Sequence, residues 1–436
     1  MALGGGNFVA QNKILPGAYI NFVSVASASA ELSDRGIATM PLVLNWGPDD
    51  GIFEVTAADF QKNTRKIFGY DYSSEEMKGL RDLFLKASKL YAYRLNTGGK
   101  KATNTFATAK YTGTRGNDLK IVIQANIDDP KQFDCITYLG TEKVDTQTVS
   151  SASGLTDNDY VIFKKDATLV LTASTPLAGG ESGTVSGNAY QDYLDKIESY
   201  SYNTMGVVTT DDVTKGLFAA FNKRMRDEMG VKFQLVLYNY AKADYMGVIS
   251  VKNKVLDAGV SEASLVYWVT GASAGCEVNK SNQNKVYDGE FTPYLDYTQS
   301  DLQKAILAGE FTFHSVNGTP RVLEDINTMI STTETMGDIF KDNQTVRVID
   351  QIGNDIAVLF ATKYLGAVPN DDAGRISFWS DIVKHHKELQ EIRAIEDFSD
   401  SDVTVEQGAT KKAVLVSDAV TPVNAMSKLY MNVAVS

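Results

Sequence analysis

The chain has 436 residues, of which 54 are acidic and 42 basic, and its formal net charge at pH 7 is −12. This length predicts roughly two to four domains, and the acidic balance argues against non-specific nucleic-acid binding. The two cysteines, Cys135 and Cys276, form no CxxC pattern, which argues against a disulfide framework or a zinc site. The N-terminus has no signal-peptide pattern, and the sequence contains no apolar run of about eighteen residues. We therefore expect a soluble protein, made in a cytoplasm, that does not insert directly into a membrane.

The N-terminal part of the chain is predicted to be a loose arm followed by a mixed α/β layer. Residues 1–15 are rich in glycine and have no amphipathic period, whereas residues 19–25 have the pattern of a strand. A strand–helix–helix–strand series follows, which is half of an α/β layer. Its elements are predicted at 36–44, 57–67, 75–85 and 89–95.

An all-β module is predicted next. Leu119, Ile121 and Ile123 alternate with more polar residues, which is the period of a strand with one buried face. We interpret residues 108–124 as the strand that enters this module. Helical periods are absent from there to about Ser186, and further strands are predicted at 136–139, 160–163 and 168–172. The simplest interpretation is a β domain inserted between two parts of a mixed domain.

Mixed character resumes after Tyr190. The almost wholly apolar segments 231–238 and 265–274 are both interpreted as buried strands. We predict helices at 192–198, 211–230, 302–308, 347–363 and 376–392, and strands at 202–209, 311–315, 319–323, 403–406 and 413–417. The expected fold is a multidomain α/β or α+β protein, in which a mixed sheet flanked by helices carries an all-β sandwich or barrel and extended terminal strands.

No catalytic or cofactor constellation is found in the sequence. The only histidines are His314, His385 and His386, and the adjacent pair lies on a predicted helix where neighbouring residues point apart, so a solvated basic face is expected. Neither a GxxxxGK[ST] nor a GxGxxG motif occurs. The acidic residues near the C-terminus lack EF-hand spacing and predict a solvated loop: Asp397, Asp400, Asp402 and Glu406. We expect no enzyme activity, no cofactor and no metal.

Both ends of the chain carry strand patterns that an isolated globular domain does not need. The N-terminal pattern includes Tyr19, Ile20, Phe22 and Val23, and the C-terminal pattern includes Leu429, Tyr430, Met431, Val433 and Val435. A linker at 419–424, with Pro422, precedes the second. Each strand either closes a sheet in its own domain or adds to a sheet in a neighbouring chain by β-augmentation.

Six short segments, spread in order over nearly the whole chain, carry a family resemblance. They are LPGAY at 15–19, AKYTGTRGND at 109–118, WVTGASAG at 268–275, RVLEDINT at 321–328, YLGAVPN at 364–370 and PVNAMSKLY at 422–430. Together they resemble the sheath protein of contractile phage tails and of phage-tail-like bacteriocins, most closely sheaths from Gram-positive bacteria.

The resemblance implies a homo-oligomer. Sheath subunits of this family stack as rings or a helix around an inner tube, joined by terminal arms that complete a sheet in adjacent subunits, and contraction drives the tube through a cell envelope. The implied partners are the inner tail tube protein and the baseplate and tail-terminator proteins at the ends. The implied location is a virion tail or tail-like particle that is assembled in the bacterial host cytoplasm and released on lysis. Because the inserted module is single and modest, the family's outer-surface contacts are not carried over.

The resemblance also places an inner-tube attachment helix in the later mixed domain. The candidate is the helix at 376–392, because positive charge concentrates there in an otherwise acidic chain, at Lys384, His385, Lys387 and Arg393. An ordinary solvated helix with basic residues near its C-terminal end is the alternative.

We divide the chain into an N-terminal arm (1–25), the first part of the mixed domain (26–107), the inserted all-β domain (108–188), the second part of the mixed domain (189–418) and a C-terminal arm (419–436). Two other classes remain open. A β-rich surface or adhesion protein would share the Thr/Ser/Gly-rich middle, and an α/β enzyme with an unrecognised site would share the layers.

Overall fold

A computed structural model describes residues 32–435. The chain forms two compact units: the larger comprises residues 33–354, 389–398 and 420–435, and the smaller includes residues 355–388 and 399–419. The predicted strand at 19–25, with Tyr19, Ile20, Phe22 and Val23, lies outside the described residues. The helices are α1 (Ala57–Phe68), α2 (Lys78–Phe84), α3 (Ala189–Ile197), α4 (Asp212–Asp227), α5 (Leu265–Ala274), α6 (Gln299–Leu307), α7 (Asn343–Leu359) and α8 (Asp372–Glu391).

The strands belong to one large sheet and several small ones. In chain order they are β1 (Ile37–Leu42), β2 (Ile52–Thr56), β3 (Lys89–Arg94), β4 (Ala107–Ala109), β5 (Leu119–Ala125), β6 (Phe133–Leu139), β7 (Glu142–Val149), β8 (Val161–Phe163), β9 (Thr172–Pro176), β10 (Thr204–Gly206), β11 (Gln234–Tyr238), β12 (Val248–Val251), β13 (Glu310–Phe311), β14 (Phe313–Val316), β15 (Thr319–Val322), β16 (Ile395–Glu396), β17 (Val403–Gln407), β18 (Val414–Asp418) and β19 (Thr421–Pro422).

The large sheet of the larger unit has the order β13-β12-β11-β10-β1-β3-β2. Its strands are parallel except β2, which pairs antiparallel to β3. Both faces are covered: Val236 of β11 packs in the same core as Trp268 of α5, whereas Leu235 and Leu237 pack with Phe218 of α4. Coverage on both faces explains why every residue of β11 is buried and why all but Gln234 are hydrophobic or aromatic. The predicted fold class, a mixed sheet flanked by helices, is confirmed.

The prediction that residues 265–274 form a strand is wrong, because this segment is helix α5. Nearly all of its residues are buried, and a segment that is apolar on every side has no period from which helix and strand can be told apart. The helix also passes very close to neighbouring backbone. A Cβ added at Gly271 would lie 2.2 Å from the Leu83 carbonyl oxygen, and one at Gly275 would lie 2.0 Å from that of Lys86. The glycines therefore permit a close approach of α5 to α2.

The inserted module consists of a four-stranded sheet, β7-β6-β5-β9, and the antiparallel pair β4–β8, which enclose one apolar core. The strand predicted from the alternation of Leu119, Ile121 and Ile123 is confirmed as β5, whereas the interpretation of the whole stretch 108–124 as the entry strand is wrong. Residues 107–109 form β4 and pair with β8, whereas residues 119–125 form β5 and pair with β6 and β9. Between them Gly113, with a φ of 127°, leads into a short 3₁₀ turn. The chain reverses there because both strands must enter the same core.

Contacts of this turn join the module to the segments that follow β1 and α1. Arg115 donates from its backbone N to the Asn45 carbonyl (3.3 Å) and from Nε to the Gly69 carbonyl (2.7 Å). A Cβ at Gly113 would lie 2.0 Å from the Asn45 carbonyl oxygen. Trp46, next in the chain, is buried in the core of the inserted module. At this junction, residues of the inserted module therefore pack directly against residues outside it.

Smaller differences concern polar or short strands. The predicted strand at 168–172 is irregular and the strand lies instead at β9, while β7 and β12 were not predicted. β7 has few apolar residues, so its alternation is weak. The predicted strands at 311–315 and 319–323 are confirmed as the β14–β15 hairpin, with φ values of 51° and 82° at Asn317 and Gly318 in its turn, which suit a two-residue hairpin loop.

Candidate assembly site

The C-terminal segment is anchored to the larger unit at residues 421–425. β19 pairs antiparallel with β16, and the Val423 N–H donates to the Ala394 carbonyl at 3.0 Å. The side-chain amide of Gln344 then contacts the segment twice: Nε2 donates to the Val423 carbonyl (2.9 Å), and Oε1 accepts from the Ala425 N–H (3.0 Å). Thr345 Oγ1 donates to Asn424 Oδ1 at 3.1 Å. We call Gln344 and Thr345 the anchor.

The anchor is held at the first turn of α7. Asp342 caps this helix end by accepting from the Gln344 and Thr345 N–H groups at 2.7 and 3.2 Å. Burial raises the pKa of Asp342, and the nearby Asp325 carboxylate adds to the rise. Gln344 and Thr345 are themselves buried. The anchor therefore presents fixed, desolvated groups to the C-terminal segment.

Beyond Ala425 the segment leaves the body of the protein. Within the described residues, 426–435 take part in no strand pairing and no hydrogen bond. The predicted arm residues are apolar but between 70 and 91% exposed: Leu429, Tyr430, Met431, Val433 and Val435. An apolar stretch exposed to this extent is typical of an interaction site.

A hairpin in the smaller unit has no third strand among the described residues. β17 and β18 pair with each other, and neither has another strand partner among residues 32–435. An open groove of about 480 Å³, lined largely by apolar side chains such as Phe360, Tyr364 and Phe378, reaches Val414 at the start of β18. Because a two-stranded ribbon is marginally stable by itself, this hairpin is suited to accept further strands.

The expected solvated face at the histidine pair is wrong. His385 and His386 are both buried within the smaller unit, where His385 Nε2 lies 3.0 Å from Asp355 Oδ2 and His386 Nε2 lies 2.8 Å from Asp418 Oδ2. Their Nδ1 atoms are 3.2 Å apart. Consecutive helix positions differ by about 100°, so both rings fit within one broad buried arc. His385 is therefore removed from the exposed basic set.

The other basic candidates are exposed. Lys384 pairs with Glu388 (3.6 Å) and Lys387 with Asp400 (2.8 Å), and each lysine side chain is more than half exposed. Arg393 lies in the larger unit, in the turn after α8, with a φ of 61°. Such exposed ion pairs contribute little to stability, so both lysines retain freedom to meet another partner.

The two cysteines are both buried. Burial raises the pKa of the Cys135 thiol to about 11 and also raises the pKa of Cys276. Among residues 32–435, no group of three or more His, Cys, Asp or Glu side chains is arranged to hold a metal ion. Nor does that part of the chain contain a helix of the length and apolarity that a membrane span requires.

Sequence reasoning missed the anchor. Asp342 before a helical period is a recognisable capping signal, yet the contact of Gln344 with residues about eighty positions later has no local signature. No local sequence signal indicated the burial of His385 and His386 either, because the carboxylates that contact them, those of Asp355 and Asp418, lie on other elements.

Comparison with known proteins assigns every part of this architecture to one family. The matching family models are the phage tail sheath protein central domain (residues 183–328), the phage tail sheath C-terminal domain (335–436), the phage tail sheath protein beta-sandwich domain (96–182) and the tail sheath protein Gp18 domain III N-terminal region (35–95).

Individual relatives agree with these models. The phage-like element PBSX protein XkdK of Bacillus subtilis is 32% identical over the whole of both chains. The crystal structure of the sheath tail protein of Desulfitobacterium hafniense is 38% identical, covers 95% of this chain and 99% of that one, and gives a TM-score of 0.82. The anti-feeding prophage helical sheath in its contracted state shares the fold at 12% identity, with a TM-score of 0.57 over 97% and 99% of the two chains.

The chain belongs to the phage tail sheath protein family, as the sequence resemblance predicted. It is a structural subunit of a sheath, which places it in a phage tail or tail-like particle, and the family implies a structural role rather than an enzymatic one.

Proposed function

We propose that the chain polymerises by donating its C-terminal strand, residues 429–435, to a sheet in a neighbouring copy. The observation that carries this proposal is the exposure of an apolar strand pattern directly after a firmly anchored root at Ala425. Each ladder hydrogen bond formed on docking contributes roughly 0.5–1.5 kcal/mol net, and burial of the apolar side chains adds to it. Because every subunit of the polymer donates a strand, the total stabilising free energy of the assembly is large.

The acceptor in this proposal is the β17–β18 hairpin of the neighbouring copy. Its exposed edges offer backbone groups, and the groove at Val414 offers apolar walls to side chains of an incoming strand. We extend the same role to the N-terminal pattern with Tyr19, Ile20, Phe22 and Val23, which would use another edge.

The sheath so formed surrounds an inner tail tube and contracts to drive it through a cell envelope. Contraction requires compact bodies that move while flexible arms remain linked. Baseplate and tail-terminator proteins bind the two ends of the polymer, and the particle is assembled in the host cytoplasm and released on lysis. The exposed face of α8 with Lys384 and Lys387 is the proposed contact to an acidic tube surface, and Arg393, in the larger unit, is a separate candidate for contact with the tube.

A truncation after Ala425 tests strand donation. If residues 426–436 serve a neighbour, the shortened chain keeps the thermal unfolding midpoint of the full chain but forms no tubes in negative-stain micrographs. If the strand closes a sheet of its own subunit, truncation exposes an apolar edge and lowers that midpoint. A truncated chain that still builds tubes refutes the proposal.

Two proline substitutions locate the bonding edge. Successive N–H groups of a strand point to opposite sides, so only one of Met431 and Asn432 donates to a given acceptor edge. Either Met431→Pro or Asn432→Pro should therefore abolish tubes, whereas Asn432→Thr, which keeps the donor, should not. Normal tubes from both proline variants would contradict a ladder at this segment.

A further inference from the structure

We propose that Gln344 fixes the pivot of the C-terminal arm, and that the acceptor edge of the neighbouring copy begins within about 14 Å of Ala425, the distance that the three-residue spacer 426–428 can span. This inference rests on the proposed strand donation and adds to it a positioning residue and a distance.

The geometry at Gln344 is that of a substitute strand. Its amide binds the carbonyl of Val423 and the N–H of Ala425 at 2.9 and 3.0 Å, which is the pair of groups that one residue of a parallel strand engages. The side chain is buried, so leaving these groups unpaired would carry a desolvation cost. The arm root is thereby held at a defined backbone position.

The root is held from a second side as well. The Val423 N–H donates to the Ala394 carbonyl, and β19 pairs with β16 immediately upstream. The last of these contacts is at Ala425, after which the described chain makes no hydrogen bond. The transition from fixed to free chain therefore falls between Ala425 and Met426.

Chain geometry converts this position into a distance. Four Cα steps separate Ala425 from Leu429, and an extended chain advances at most about 3.6 Å per step, so Leu429 lies within about 14 Å of Ala425. The first residue of the donated strand must meet its acceptor inside that radius. The neighbouring copy consequently packs close to the surface around Gln344 and Ala394 in every state in which the arm stays linked, and contraction turns about this point instead of sliding past it.

Amide hydrogen exchange of the full chain tests the pivot. Gln344→Leu removes both arm contacts, so exchange at Ala425 should accelerate about fivefold, the effect of one hydrogen bond of typical strength. Gln344→Glu keeps an acceptor for Ala425 but sets a carboxylate against the Val423 carbonyl, and should also loosen the root. The matched control Gln303→Leu, on the exposed side of α6, should leave exchange at Ala425 unchanged. Equal exchange in Gln344→Leu and the parent overturns the pivot.

A spacer series tests the distance. Two, four and eight Gly/Ser residues are inserted between Ser427 and Lys428, and helical order is measured by cryo-electron microscopy. A short tether predicts that order declines as the spacer grows, while tubes still form because the donated strand is intact. Full helical order with eight added residues shows that the short spacer does not position the neighbouring copy, and overturns that part of the proposal. A different result would refute strand donation, namely tubes formed by the chain truncated after Ala425. The two hypotheses can therefore be refuted separately.

Discussion

The buried ion pair between Asp325 and Arg347 should control the stability of the larger unit and the placement of the anchor. Arg347 Nη2 lies 2.6 Å from Asp325 Oδ2, with the two side chains 1% and 0% exposed. Asp325 also accepts from the Asn282 N–H (2.8 Å) and from Asn343 Nδ2 (3.0 Å). Burial by itself would raise the pKa of Asp325, but the Arg347 guanidinium outweighs it and holds that pKa below its usual value.

Replacing only Arg347 leaves the buried Asp325 carboxylate without a neighbouring positive charge. Arg347→Met should therefore cost about 3–5 kcal/mol of unfolding free energy, a large part of the 5–15 kcal/mol that is typical of proteins. The double variant Asp325→Asn/Arg347→Met carries no charge at these two positions and keeps an acceptor for the Asn282 N–H. We expect it to be more stable than Arg347→Met alone.

The sign of the pH dependence follows from the lowered pKa. The pair contributes stability above the ordinary carboxyl pKa of about 4, and this contribution is lost as the pH falls through the folded value. The gap between the parent and Arg347→Met should thus narrow on acidification. Denaturant unfolding, followed by exchange of the buried β11 amides so that the larger unit is reported, measures both effects. A parent and single variant of equal stability, or a double variant weaker than the single one, would refute this account.

Three further changes have defined outcomes. Burial raises the pKa of Asp82 to about 6, although Tyr287 and the Glu290 N–H donate to it. Folding therefore takes up a proton between pH 4 and 6, and stability falls by up to about 3 kcal/mol as the pH rises through this window. Asp82→Asn should reduce the change of the thermal unfolding midpoint between pH 4 and 7, and an unchanged pH dependence would contradict the assignment. Lys384→Glu/Lys387→Glu should weaken co-assembly with the tube protein and alter its salt dependence in sedimentation assays, and co-assembly that is unaffected at every salt concentration would remove α8 as the contact. Replacing residues 110–186 with a Gly/Ser linker, combined with Trp46→Ser because Trp46 loses its burial, should leave tubes that still form; loss of soluble protein would show that the module is required for folding.

Local signals in the sequence were sufficient to predict helices and strands that bury one face or whose ends are capped. Asp211, the first residue of the predicted helix at 211–230, caps α4, and β11, which is buried at every position, was correctly predicted as a buried strand. The same uniformity misled at α5, because helix and strand become indistinguishable when every side is buried. The resemblance of the six segments, and not periodicity, identified the family.

The candidate site depended more on long-range packing. The exposed arm residues were named from their alternation, and their role between subunits remains a prediction. Gln344 was invisible because its partners lie far along the chain, and His385 was misplaced because its partner Asp355 lies on another helix. Neither contact follows from the neighbouring residues.

The turn at 113–118 has a practical consequence for engineering this particle. Because Gly113 closely approaches the Asn45 carbonyl and Arg115 donates to the Gly69 carbonyl, cargo fused near them would disturb the body of the subunit. The loop between β5 and β6 lies at the other end of a seven-residue strand, about 20 Å away at strand spacing. Ile127 in that loop is 92% exposed. A peptide displayed there would decorate the inserted module while leaving the turn at 113–118 untouched.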